Sequence, residues 1–152
     1  MNIEPIELND DVEALLVGEG LPVSDLRSPN EPRFFGVRVG GRIIGIVGIE
    51  SHENVGLLRS LVVGKDSRKS GCGRKLVSKA EAWASEEGVK SLYLLTTTAA
   101  SFFSRLGYEV VPRSQAPACI EHSAQFAGLC PASATLMCKA LAANKALHRT
   151  SR

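Results

Sequence analysis

No apolar run in this sequence is long enough to cross a bilayer. The longest uninterrupted one, Ile43 to Ile49, falls far short of the ~20 residues a spanning helix needs. The opening segment, MNIEPIELNDD, is acidic and lacks an apolar signal-peptide core, so a cytoplasmic protein with no membrane partner is expected. Net charge is small. A formal +2 provides no strong field for nucleic acid, and no nucleic-acid partner is expected. Cysteines are few. Cys72, Cys119, Cys130 and Cys138 stand 47, 11 and 8 residues apart with no CxxC, so neither a zinc ribbon nor a thioredoxin-like centre is signalled, and no resident metal is expected. Such thiols are most simply reduced and partly buried. Internal repeats are missing, as are a Walker GK[ST] ending and a Rossmann GxGxxG.

What remains is an ordinary globular composition. With 152 residues, 44% of them hydrophobic and 22% charged, the chain can build one real core. A single domain over 1–141 is expected, followed by a disordered basic tail over 142–152. The tail ALAANKALHRTSR has no acid and looks like the read-through ends of proteins from mobile gene cassettes. Charge is unevenly placed. Residues 1 to 31 hold eight acids and one base, whereas residues 65 to 75 hold five bases and one acid. The basic cluster is one compact loop, so it suits a small anion better than a long nucleic-acid backbone.

The pattern predicts a strand over 2–8, with Pro5 placing it at an edge or a strand start. Asp10 and Glu13 then read as a capping box for a helix with Val12, Leu15 and Leu16 on its apolar stripe. Arg33 to Glu50 reads as a hairpin around Gly40-Gly41. SHENVG (51–56) reads as a polar turn and Gly56–Val63 as a further strand. A helix follows from about Arg74 to Glu87, burying Leu76, Ala80, Trp83 and Ala84, with Gly88 past its end. Ser91–Thr96 reads as a buried strand, Ala99–Leu106 as a short helix ended by Gly107, and Tyr108–Val111 and Ala134–Leu141 as strands. Antiparallel hairpins mixed with one βαβ crossover make an α+β architecture.

The informative unit is a strand, then Arg68-Lys69-Ser70-Gly71-Cys72-Gly73, then a helix. Such a loop can turn backbone N–H groups toward one point, and the helix adds its N-terminal donors and dipole. Gly71 and Gly73 remove side chains where a diphosphate would approach. With Leu61-Val62-Val63 before it, the loop resembles the acetyl-CoA signature of the Gcn5-related N-acetyltransferases (GNAT). A second segment agrees: Ala99-Ala100-Ser101-Phe102-Phe103-Ser104-Arg105-Leu106-Gly107-Tyr108 is similar to that family's A-x-x-F-[YF]-x-x-x-G-[FY] element.

The resemblance implies a mixed, mostly antiparallel sheet with splayed central strands 57–63 and 91–96, flanked by helices. It implies acetyl-CoA as co-substrate and a small primary amine as acceptor. Leu61 N–H would face the thioester carbonyl. The backbone of Val63 would pair with pantetheine, with Val62 also in the cofactor site. Arg68, Lys69, Ser70, Gly71, Cys72, Gly73 and Arg74 would hold the diphosphate, and Thr97, Phe102 and Phe103 would complete the cofactor site. Many members form dimers, so a homodimer is a family-level expectation.

Two departures stand out. The family's frequent Glu base falls on Leu57, and its frequent Tyr acid falls on Phe103. Neither side chain exchanges a proton. Glu50, His52, Glu53 or an ordered water are the alternatives for the base, imidazole being suited to that work. Period two puts Arg59 on the face of Leu61 and Val63, where it could bind an acidic group of the substrate; the alternative is an ion pair. Phe34 or Phe35 could line a substrate opening or be core. The strings GLLRSLVV, LYLLTTTAASFF and AQFAGLCPASATLM further resemble the acetyltransferase branch of bacterial arsenic-resistance operons. Cys119, Cys130 and Cys138 could then form a thiolate site for arsenic or be core, and Cys72 could be a reactive thiol at a helix N-terminus or a core residue. A non-catalytic acyl-CoA-binding or metalloid-responsive protein on the same fold is the alternative function.

Overall fold

The computed structural model describes residues 3–7, 12, 14, 16, 32–52, 54–64, 71–121 and 134–141. Seven strands form one sheet: β1 (Ile3–Ile6), β2 (Arg33–Val39), β3 (Arg42–His52), β4 (Val55–Val63), β5 (Ser91–Thr96), β6 (Glu109–Val110) and β7 (Thr135–Ala140). Their order is β1-β2-β3-β4-β5-β7-β6. The β4–β5 pair is parallel, over Val55–Leu57 against Ser91–Tyr93. The β1–β2, β2–β3, β5–β7 and β6–β7 pairs are antiparallel. Three helices have both ends among the described residues: α1 (Cys72–Glu86), α2 (Ala100–Arg105) and the single turn α3 (Ala118–Glu121). The α+β expectation of a mixed, mostly antiparallel sheet is met.

The chain forms two compact units, one of residues 1–50 and 58–83, the other of 51–57 and 84–152. In the first, β2 and β3 turn at Gly40 and Gly41, with φ of 60° and 82°. A two-residue hairpin turn of this kind needs positive φ at both positions, which only glycine adopts freely. The core here is Ile6, Val12, Leu16, Phe34, Ile46 and Val62. Val12 and Leu16 are helical and one turn apart, which bears out those two positions of the expected stripe. Asp10, Glu13 and Leu15 lie outside the described residues. α1 buries Cys72, Leu76, Val77 and Ala80. It lies close to β3: a Cβ built on Gly45 would meet Cys72 Sγ and Leu76 Cδ1, each at 3.0 Å. Trp83 is half-buried. Its ring stands 6.2 Å from that of Phe35, and the Arg33 guanidinium sits 5.4 Å above it.

In the second unit, both helix ends have the same form. Val89 N–H donates to Ala84 O (2.9 Å) and Gly88 N–H to Ser85 O (3.2 Å). Tyr108 N–H donates to Phe103 O and Gly107 N–H to Ser104 O, both at 3.1 Å. These are paired 6→1 and 5→2 bonds, the Schellman ending expected at Gly88 and Gly107. Lys139 then reaches across from β7 and donates to Leu106 O at 2.9 Å, with its ammonium 5.6 Å from the Tyr108 ring centroid.

The clearest boundary differences from the sequence pattern lie in the first strands. Ser51 and His52 belong to β3, and β4 begins at Val55, so the expected six-residue turn is much tighter. Strand pairing overrides the polarity of SHENVG, because these residues continue strands whose interiors are apolar. The first strand runs over Ile3–Ile6 and leaves out Glu7; residues 2 and 8 lie outside the described residues.

Candidate functional site

β4 carries the key irregularity. Ser60 has φ of 58°, the one non-glycine positive φ among the described residues. A side-chain-bearing residue is disfavoured there by ~1–2 kcal/mol. The consequence appears in the faces of the strand. Along β3, Ile46, Gly48 and Glu50 alternate with Gly45, Val47 and Ile49, so the first three share a face. Val62 belongs to the core cluster of Ile46. Arg59 Nη1 donates to Glu50 Oε2 at 2.8 Å. Arg59 and Val62 therefore lie on one face of β4 although they are three apart. A regular strand forbids this; a bulge at Ser60 supplies the extra residue.

This corrects the placement of Arg59. Period two holds from Leu61 to Val63 but does not carry back across Ser60 to Arg59. Arg59 and Glu50 are 5% and 6% exposed and form a buried ion pair, the alternative weighed for Arg59. Arg59 is thus engaged with a carboxylate of the protein, and Glu50 is held by a cation. Arg59 Nε also donates to Ser60 Oγ at 3.2 Å. Beyond the bulge, Leu61 and Val63 are half-buried while Val62 is buried, as alternation requires. Gly64 N–H donates to Ile44 O at 2.8 Å, anchoring the end of this strand.

α1 begins soon after. Gly71 has φ of 84°, and a Cβ built on it would meet nothing within 4 Å among the described residues. Lys75 N–H bonds to Gly71 O at 3.1 Å, so the N–H groups of Cys72, Gly73 and Arg74 precede the first full helical bond. No acid stands in the first turn to neutralise the dipole. This end of α1 has the donors, the charge sign and the clearance that a phosphate group needs. Arg68, Lys69 and Ser70 lie outside the described residues. Arg74 is exposed and Gly73 half-buried.

Cys72 is fully buried, and burial pushes its thiol up from its ordinary range, with Lys75 opposing weakly. A reactive thiolate requires the reverse. Its burial matches the core alternative weighed for Cys72. Phe34 is likewise a core residue. At 2% exposure, with its ring against the backbone of Gly48, it offers no surface to a substrate. Phe35 is equally buried. His52 is half-buried at the end of β3. Leu57 and Phe103, at the family's acid–base positions, are both buried. Phe102 is half-buried with its ring edge-on to Phe103 at 5.0 Å, and Thr97 is exposed. The neighbouring Thr96 Oγ1 accepts from Ala99 N–H at 3.0 Å and so braces the entry to α2. Cys138 is half-buried, its thiol also pushed up by burial, with Tyr93 bonding to it. Cys130 and the side chain of Cys119 lie outside the described residues. No described helix is long and apolar enough to cross a membrane.

The sheet and helices define an acetyltransferase-type fold. Residues 6–108 match the model of the acetyltransferase (GNAT) family, and the chain belongs to that family. It is similar to an uncharacterized N-acetyltransferase of Chlorobaculum tepidum, with 39% identity over 85 residues, which is 55% of this chain and 54% of that protein. The chain thus spans about half the length of this curated relative. Among solved structures it resembles N-acetylglutamate synthase from Neisseria gonorrhoeae complexed with coenzyme A and N-acetyl-glutamate. The TM-score is 0.76 at 15% identity, over 93% of this chain and 36% of that one. A Mycobacterium tuberculosis protein in complex with CoA gives 0.75 at 15% identity, over 93% of this chain and all of the other. A GNAT-family acetyltransferase of Staphylococcus aureus gives 0.71 at 18%, again over 93% and 100%. These likenesses establish the fold.

Proposed function

We propose that this chain is an acetyl-CoA-dependent N-acetyltransferase acting on a small primary amine. The observation that carries this is the run from β4 to α1. A strand that breaks its own alternation at Ser60 is followed by a helix start that is open at Gly71 and free of acid in its first turn. The family signature falls on the same residues.

In this reading the backbone of Val62 and Val63 runs beside pantetheine as an added strand would. Arg68, Lys69, Ser70, Gly71, Cys72, Gly73 and Arg74 hold the diphosphate through backbone N–H groups and positive charge. Thr97, Phe102 and Phe103 complete the cofactor site. The amine nitrogen attacks the thioester carbonyl, and Leu61 N–H stabilises the developing oxyanion. The C–S bond then breaks, the thiolate takes up a proton to give CoA, and the new amide nitrogen loses one. Leu57 and Phe103 take no part in either proton transfer. His52 is our candidate for the base, because Glu50 is committed to Arg59. The domain is taken as 1–141 and the location as cytoplasmic.

A ligand that binds only the folded state raises its melting temperature, by ~2.7 kcal/mol of stability at a hundredfold excess over Kd. Acetyl-CoA is expected to do so here. Gly71→Trp and Gly73→Trp, each checked for folding, are expected to abolish the shift. An unaltered shift in both variants overturns the loop assignment.

The buried Leu57 and Phe103 favour a second reading, a non-catalytic acyl-CoA-binding or metalloid-responsive protein. Thiol release with a panel of amines separates the two. The panel should include arsenic-containing amines, because the arsenic link rests on three short strings of sequence. Silence across the panel with cofactor bound supports the second reading.

A further inference from the structure

We propose that Arg59 and Glu50 are positioning residues for acetyl transfer, acting by bracing the left-handed bulge at Ser60 so that Leu61 N–H keeps its aim. The inference rests on the reading above that Leu61 N–H faces the thioester carbonyl.

The geometry is specific. One guanidinium bonds in two directions: Nη1 to Glu50 Oε2 on β3 at 2.8 Å, and Nε to Ser60 Oγ at 3.2 Å. The first bond ties β4 to the neighbouring strand. The second grips the residue whose backbone is in the disfavoured region. A planar fork with several fixed donors can do both at once, whereas an ammonium is a point donor on a flexible stem. The pair is buried, so the bonds are screened little by water or salt.

Such an arrangement is costly. Taking two charges out of water yields no clear gain over an apolar pair of the same shape. Strain at Ser60 adds to the cost, and strained backbone persists only where its surroundings over-determine it. The strain falls on Ser60, the residue next to Leu61, and the charge burial on Arg59, one residue earlier, and its partner Glu50. The bulge also sets the faces of everything after it. Without it, Leu61 and Val63 exchange faces with Val62, and the N–H groups of this segment reverse. The brace therefore determines which way the donors of 61–63 point.

The test uses acetyl-CoA labelled with carbon-13 at the thioester carbonyl, so it needs no acceptor amine. Calorimetry first measures CoA binding to the unmodified protein. Absence of binding there overturns the cofactor reading itself, and the brace with it. With binding established, the carbonyl resonance is expected to move downfield on binding, because a hydrogen bond polarises the carbonyl. Arg59→Lys and Glu50→Gln are expected to lose at least about half of that displacement, with Kd for CoA changed by less than about threefold. Ser60→Gly in the Arg59→Lys background is expected to restore it, because glycine holds positive φ unaided. Ser60→Ala deletes only the hydroxyl that Arg59 grips, and it serves where the charge variants do not fold. It is expected to lose part of the displacement. Three results overturn the brace while leaving cofactor binding intact. The carbonyl does not move in the unmodified protein. It moves fully in every folded variant. Or its loss persists in the Ser60→Gly background.

Discussion

Two strands of the first unit carry an extra residue, and they carry it differently. In β3 the register against β2 jumps from Val37↔Gly45 to Arg38↔Ile43, so Ile44 is the additional residue. It lies near the hairpin turn, its backbone is not in the left-handed region, and its carbonyl accepts from Gly64 N–H. In β4 the irregularity is at Ser60, left-handed, beside a buried ion pair. The first adjusts a sheet at little cost. The second holds a shape that the backbone resists. The difference teaches where this fold spends its stability: on the strand segment that we propose meets the thioester, not on the hairpin that supports it.

The largest expected effect comes from cutting the brace at one end. Arg59→Met leaves Glu50 as a buried carboxylate without its cation, and stability is expected to fall by ~3–5 kcal/mol in denaturant titrations. A double variant, Glu50→Leu with Arg59→Met, is expected to recover most of that loss, because it removes both charges together. A double variant as unstable as the single one would show that the other contacts of these residues dominate.

A second pair of variants sharpens the contrast through backbone conformation alone. Gly41 and Ser60 both have positive φ, but only Gly41 has the residue that prefers it. Gly41→Ala, where the added methyl meets nothing within 4 Å among the described residues, is expected to cost ~1 kcal/mol of strain. Ser60→Gly is expected to stay within ~1 kcal/mol of the parent, since strain relief offsets a looser unfolded chain and a lost bond to Arg59. Equal losses at the two sites would remove the claim that Ser60 is strained.

The smallest effect is expected at high pH. Burial raises the Cys72 thiol above its unfolded value, so the fold favours the neutral form. That contribution is complete below the unfolded thiol range, near ~8.5, and is lost as pH rises through the folded value. Stability should therefore decline above about pH 8.5. Cys72→Ala should make the decline shallower without abolishing it, because Cys138 is raised as well. An unchanged slope would place the alkaline loss elsewhere.

Much of this architecture is local chemistry and was readable as such. Gly40-Gly41 makes the hairpin, Ser91–Thr96 begins and ends where its apolar run does, and Gly88 and Gly107 close their helices. The proposed cofactor loop is a local signal of the same kind, since its glycines and charges act over a few residues; its Arg68, Lys69 and Ser70 lie outside the described residues. Ser60 is not legible. Serine carries no signal for positive φ, and GLLRSLVV reads as an unbroken strand. The pairing of Glu50 with Arg59 is a contact between strands, outside any periodicity. One hint was available: each is a lone charge in a strand otherwise apolar around it, and the two signs are opposite. Phe34 was ambiguous because a strand covered on both faces gives an aromatic no side that marks it as core.

The aromatic residues are divided between the two compact units. Trp83, the sole tryptophan, stands in the first, packed on Phe35 beneath Arg33, while both tyrosines, Tyr93 and Tyr108, stand in the second. Indole emission excited at long wavelength therefore watches one unit, and phenol absorbance watches the other. Superimposable melting curves from the two optical signals would make the protein a single cooperative body, and separated curves would reveal a half-melted species without any label being attached.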